Sequence, residues 1–234
     1  DISYMTSNDA ITHDLTRFFH FLTGFSKKGK LNELYMAPTQ IKPKILSLIQ
    51  NETRMGAEGV IIAKMNSLVD GDIIKALYKA SMAGVKIQLI IRGICCLRPN
   101  MPGISENIRV VSIIGKYLEH ARMFYFKHAT PQTYISSADW MPRNLLRRIE
   151  LLTPIEGEEI SAKLLQILQL QISDNVLAHE LQNDGTYIQV KHETSSVINT
   201  HQIVETHTTK VYNSTKKQAP NYAQQLTARL FKES

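Results

Sequence analysis

Cysteine is almost missing from this sequence, and the only two, Cys95 and Cys96, are adjacent. Adjacent residues are poorly placed for an ordinary disulfide or a four-ligand zinc site, so neither a disulfide framework nor a zinc module is expected. A reducing cytoplasm is the simplest setting. No run approaches the roughly 18 consecutive apolar residues of a membrane span. The opening DISYMTSNDA has neither the basic n-region nor the apolar h-region of a secretory signal. These absences point to a soluble protein that is not itself exported. Methionine is missing at the start, where Asp1 stands, which reads as processing or as a segment of a longer chain. There is no internal repeat and no true low-complexity tract.

Negative charge is in the minority. Twenty-seven Lys and Arg against 21 Asp and Glu give a formal charge of +6, which favours a polyanionic partner: nucleic acid, phosphate or lipid. Part of the excess lies in TKKQAPNYAQQLTARLFKES, which reads either as a solvated tail or as a functional patch. With 234 residues, 43% of them hydrophobic, the chain can bury one large core or two small ones.

Apolar spacing predicts an amphipathic helix over 9–23, with Asn8 or Asp9 as N-cap and Gly24 closing it, and a second helix over 39–52. GVIIAKM reads as a buried strand, and Asp70 or Asp72 caps a helix ending at Gly84. VKIQLIIRG follows as a second strand, which makes a right-handed βαβ unit with parallel strands. RPNMPGISENI is a loop able to reach over a site at the strand's C-terminal end. IRVVSII, RMFYF, TYISSA and RRIELLTPI suit further strands, 158–178 a long helix, and DGTYIQVK an edge strand. Beyond His192 periodicity is weak, with a short helix near 222–231, and His192, His201 and His207 are expected at the surface for want of ligand partners.

The polar residues between Arg92 and Glu150 fall at strand ends, where open α/β sheets bind ligands. Arg92 leaves a buried strand and suits phosphate because its planar fork stays charged; alone it could equally be a rim arginine paired to an acid. His120 and Arg122 alternate and would share one face of an extended strand. YISSADW follows, with Ser136 and Ser137 able to hold phosphate oxygens, Trp140 packing beneath, and Asp139 either in the site or capping a turn. Arg143, Arg148 and Glu150 complete the cluster. On RRIELL, Arg148 and Glu150 would share a face, or form an ion pair of little consequence. Lys64 and Asn66, ending the first strand, are weaker candidates for polyanion contact.

A histidine, a cation two residues on and an SSxD turn resemble one half of a phospholipase D-type site, in which one histidine attacks phosphorus and a second serves as acid or base. Arg122 stands where that superfamily has Lys, and a second such motif is not found. RGICCLRPNMPGISENIRVVSIIGKYLEHARMFYF, then YISSADWMPRNLLRRIE, resembles the polyphosphate kinase family, and the likeness extends over about 1–190. The resemblance implies reversible transfer of the terminal phosphate of ATP to inorganic polyphosphate through a phosphorylated histidine. His120 falls on the family's second active-site histidine, which aids proton transfer at the leaving group. Arg92 falls on its nucleotide-binding arginine, so Arg92 and His120 are the implied ATP contacts, and Arg148 and Glu150 fall on its RxE motif. The phosphorylated histidine and the Mg²⁺-binding arginines belong to segments that precede this one in the family, so no metal ligand is expected here.

The reading is an α/β fold, a mixed sheet flanked by helices and phospholipase D-like, with a catalytic domain over 1–190 and a loosely attached, partly helical tail over 191–234. Expected partners are ATP or ADP, polyphosphate, upstream domains and further copies of the chain, with Mg²⁺ as cofactor and no nucleic acid. The expected location is the cytoplasm, with the inner face of the membrane as a second option. The competing readings are a phospholipase D-type phosphodiesterase and a non-catalytic polyanion-binding module.

Overall fold

In the computed structural model, which describes residues 2–27, 29–191 and 197–218, the chain begins with α1 (Asp9–Leu22), capped by the Asn8 carboxamide at the amides of Ala10 and Ile11. There follow β1 (Tyr35–Met36), α2 (Ile41–Arg54), β2 (Val60–Met65), α3 (Gly71–Met82) and β3 (Lys86–Ile91). Asp70 caps α3, and Gly84, at φ +96°, turns the chain out of it into β3. Then come β4 (Ile108–Ile113), β5 (Arg122–Phe126), β6 (Thr133–Ser136), α4 (Pro142–Arg147) and β7 (Leu151–Ile155). The described chain closes with α5 (Glu158–Ile172), β8 (Ala178–Leu181), β9 (Tyr187–Gln189) and α6 (Thr200–Gln218).

The described strands form one sheet in the order β1-β7-β6-β5-β2-β3-β4-β8-β9. β2, β3 and β4 are parallel neighbours and every other pairing is antiparallel, so the sheet is mixed. Alternation along each strand splits the core. Ile61, Ala63 and Met65 join the cluster under α2 and α3, whereas Ile62 enters the cluster under α5. Lys64 lies in phase with Ile62 and so points to the α5 side, a buried position for an ammonium. The C-terminal ends of β2 and β3 and the N-terminal end of β5 lie side by side, because β5 runs antiparallel to β2.

Several elements differ from the sequence reading. The long helix stops at Ile172, and the chain turns over residues 173–177 into β8, which begins at Ala178, the helix's expected last residue. The Asp174 carboxylate accepts the amides of Val176, Leu177 and Ala178, an alternative to helical pairing that turns the backbone. RRIELLTPI is a strand only from Leu151; Pro142, compatible with a first helical turn, starts α4, and Arg148 and Glu150 lie in the link. The 98–107 loop folds back on α3, where the Tyr78 hydroxyl accepts the Arg98 amide at 2.8 Å and Asn107 donates to Ser81 O at 2.9 Å. The short helix expected near 222–231 lies outside the described residues. α6 was missed, and its first turn is not loosely attached: Thr200 and His201 are buried. No helix among the described residues is long and apolar enough to cross a membrane.

Candidate functional site

Asn66 follows directly on β2 and Arg92 on β3, and the segment before β5 carries Glu119 and His120. The Asn66 backbone and side-chain amides donate to Asp139 Oδ1 at 2.7 and 3.0 Å, and Asn66 Oδ1 accepts Arg92 Nε at 2.7 Å. Arg92 Nε also donates to Glu119 O at 2.7 Å. Its terminal nitrogens have no protein partner among the described residues, so the guanidinium is fixed at one end and free to bind at the other. Gly93 follows because its amide donates to Asn66 O at 2.8 Å, and a Cβ there would stand 2.8 Å from that same oxygen.

Arg122 binds Asp139 through Nε to Oδ1 at 3.2 Å and Nη2 to Oδ2 at 3.3 Å, while its Nη1 reaches His120 O at 3.0 Å and lies 3.2 Å from the imidazole Nδ1. His120 is not on the strand as expected, since β5 begins at Arg122, yet the two side chains still meet. The imidazole is exposed between two clefts of about 310 and 600 Å³. Partial desolvation, then the charges of Arg122 and Arg92, hold it below its ordinary value.

Glu119, which sequence reasoning passed over, ties this shelf together. One carboxylate oxygen lies 2.6 Å from Lys64 Nζ and 2.8 Å from Gln171 Nε2, and the other 2.8 Å from His201 Nε2. Burial would raise this carboxyl, but the Lys64 charge and the bonds from Lys64, His201 and Gln171 bring it below the usual range. Burial pulls Lys64 below its ordinary value against the attraction of Glu119. His201, expected at the surface, is instead 5% exposed. Its only sequence signal was the first turn of an unrecognised helix.

The remaining candidates separate. Lys64 and Asn66 are buried and internally paired rather than open to a polyanion. Ser136 Oγ donates to Leu151 O at 2.8 Å and Ser137 Oγ accepts the Leu151 amide at 3.1 Å, so their hydroxyls fasten β7, although both residues border the smaller cleft. Asp139 does not cap the following turn; it holds Asn66 and Arg122. Trp140 is fully buried, its ring 5.0 Å from that of Phe124. Glu150 is buried and accepts Asn144 Nδ2 at 2.7 Å, and Arg148, 4.0 Å from it, is exposed along with Arg143. Among the described residues no three His, Cys, Asp or Glu side chains converge to hold a metal ion. The arrangement offers one exposed imidazole, one half-free guanidinium and an exposed arginine margin, a set suited to moving a proton beside a phosphate.

Residues 34–201 match the family described as polyphosphate kinase C-terminal domain 2. Among curated proteins, a polyphosphate kinase from Campylobacter coli is 58% identical over 235 residues, covering 100% of this chain and 34% of that protein. One from Helicobacter pylori is 54% identical over 191 residues, 81% of this chain and 28% of that protein. The crystal structure of polyphosphate kinase from Porphyromonas gingivalis is similar at a TM-score of 0.84 and 34% identity, over 90% of this chain and 33% of that one. The chain thus spans about a third of the length of the curated relatives it matches over its whole length. Family match, sequence identity and architecture agree: this chain belongs to the polyphosphate kinase family.

Proposed function

We propose that this chain forms one half of a phosphoryl-transfer site in a polyphosphate kinase that reversibly moves the terminal phosphate of ATP onto inorganic polyphosphate. The observation that carries the reading is the exposed His120 imidazole on a shelf of fixed groups, beside the half-free Arg92 guanidinium. In the first half-reaction a histidine nitrogen supplied outside this chain attacks the γ-phosphorus, the bond to the bridging oxygen breaks, and His120 protonates the departing ADP oxygen. In the second, the terminal oxygen of polyphosphate attacks phosphorus, the P–N bond breaks, and His120 removes the proton that oxygen carried.

Arg92 binds the nucleotide phosphates through its free nitrogens. Arg122 acts at one remove by holding His120, while Arg143 and Arg148 line the approach of the polyanion and Glu150 anchors their segment. Asp139, Asn66 and Lys64 fix the shelf. Partial desolvation and then the charges of Arg122 and Arg92 favour the neutral imidazole in the empty site. The negative charge of polyphosphate offsets those cations and lets the ring take up the proton it hands over. Mg²⁺ accompanies ATP as counter-ion; the carboxylates of this shelf are committed to Asn66, Arg122 and Lys64, which favours ligands for the ion outside this chain. The cytoplasm, where ATP is made available, is the proposed location, and the working assembly is a homo-oligomer.

The test is an assay of ATP-dependent polyphosphate synthesis with the full-length protein and with the 234-residue chain alone. Synthesis by the full-length protein and none by the chain supports the proposal. Turnover by the chain alone contradicts the half-site, and a folded full-length protein without ATP-dependent synthesis contradicts the activity.

A further inference from the structure

The segment bearing His120 runs from Gly115 to Ala121 between β4 and β5, with no regular secondary structure of its own. A loop that presents a proton carrier must nonetheless be fixed to a fraction of an ångström, because small misplacements are costly in rate. It is fixed from outside on two sides: by Lys64, Arg92 and Gln171 of the sheet and α5, and by α6, at the far end of the described chain.

The attachment is specific. His201 Nδ1 faces the Tyr117 amide at 3.3 Å, so that nitrogen accepts and Nε2 carries the hydrogen donated to Glu119 Oε1 at 2.8 Å. The imidazole lies against the backbone of Gly115, where a Cβ would come within 2.9 Å of Nδ1, and its ring centroid is 5.5 Å from that of Tyr117. One helical turn later, Glu205 receives Lys116 Nζ at 2.8 and 2.9 Å. The helix start is itself pinned. Asp174 Oδ2 accepts the Thr200 amide at 2.8 Å, and the Ile198 amide donates to Asn175 Oδ1 at 2.8 Å. Thr200 and His201 are buried, and the rest of α6 whose exposure is described is exposed, so the helix touches the body chiefly through this clamp.

We infer that His201 is a positioning residue: by donating to Glu119 it clamps the segment that presents His120, making the first turn of α6 part of the transfer site. Glu119 is the transmitting group, because its carboxylate is gripped by His201, Lys64 and Gln171 while its backbone carbonyl receives Arg92. The clamp therefore holds His120 and the nucleotide-facing arginine in one register. The inference rests on the reading of His120 as the proton carrier.

The experiment uses the full-length enzyme carrying His201→Ala, His201→Gln or His120→Ala. It measures steady-state synthesis, the unfolding midpoint, and the rate at which diethyl pyrocarbonate modifies His120, followed by peptide mass spectrometry. For His201→Ala we expect kcat to fall by about tenfold to a hundredfold with KM for ATP nearly unchanged. We also expect modification of His120 to speed up by about threefold or more as the segment opens. Glutamine places an N–H donor near the position of Nε2, so His201→Gln restores most of both. Unchanged kcat and unchanged His120 reactivity in His201→Ala overturn the inference, as does a glutamine variant as impaired as alanine with losses that follow the unfolding midpoint. Full activity of His120→Ala overturns the proton-carrier reading instead, and the modification rate of His120 then decides the clamp by itself.

Discussion

Arg122 and Asp139 meet side-on through two bonds of 3.2 and 3.3 Å, and the same carboxylate accepts both amides of Asn66. The cation two residues after His120 is therefore occupied before any ligand arrives. Its role is to hold the imidazole and to lend charge. With side chains only 12% and 10% exposed, the pair is one whose partners cannot be removed singly without cost.

Asp139→Ala leaves the Arg122 guanidinium and the Asn66 amides without their acceptor. Urea unfolding is expected to show a loss of about 3 kcal/mol, the scale for breaking a buried pair. A loss within about 0.5 kcal/mol, as at ordinary surface positions, contradicts the pairing.

Glu119 predicts a pH dependence. Its folded value lies below the ordinary carboxylate value, so as pH falls the unfolded chain takes up the proton first. The stability it contributes is complete above the unfolded value near 4.5 and is lost as pH falls through the folded one. Glu119→Gln is expected to be less stable than the parent by about 2 kcal/mol at pH 7, with the gap closing as pH drops below that range. A gap that stays constant into acid, in urea midpoints across pH, contradicts it.

Gly93→Ala tests the shelf through space alone. The new Cβ would stand 2.8 Å from Asn66 O and 3.1 Å from Ser67 Oγ, so the end of β2 must shift. Unfolding is expected to become easier by about 1–3 kcal/mol, with a lower kcat in the full-length enzyme. Wild-type stability and activity together contradict the close approach.

Arg92→Lys keeps the charge and removes the fork, together with the Nε bonds to Asn66 and Glu119. KM for ATP in the full-length enzyme is expected to rise by about tenfold, because a point charge cannot reproduce planar recognition of phosphate. An unchanged KM indicates that Arg92 is only a structural rim residue.

What was legible in the sequence follows from range. Asn8, Asp70 and the apolar spacing behind them mark α1 and α3 within a few residues, and the βαβ unit follows from two short β-branched runs. The neighbourhood of His120, Arg122 and Asp139 was readable because all three lie near adjoining strand ends. β8 was not, since periodicity runs unbroken past Ile172 and only the carboxylate of Asp174 redirects the backbone. α6 has weak amphipathicity because little of it is buried. The bond from His201 to Glu119 joins residues 82 apart, and no local pattern in one sequence announces such a pairing. Arg148 and Glu150 lie in a link and not on a strand because the helix that Pro142 starts runs to Arg147 and β7 begins only at Leu151.

The proposed proton transfer depends on His120, and replacing that residue alone tests it. Full-length enzyme carrying His120→Ala, shown to be folded, is compared with the parent for ATP-dependent polyphosphate synthesis. A fall of about a hundredfold or more, the scale for losing a positioned acid or base, is the predicted result. Synthesis at the parent rate would contradict the account and leave this domain as a holder of polyphosphate and nucleotide.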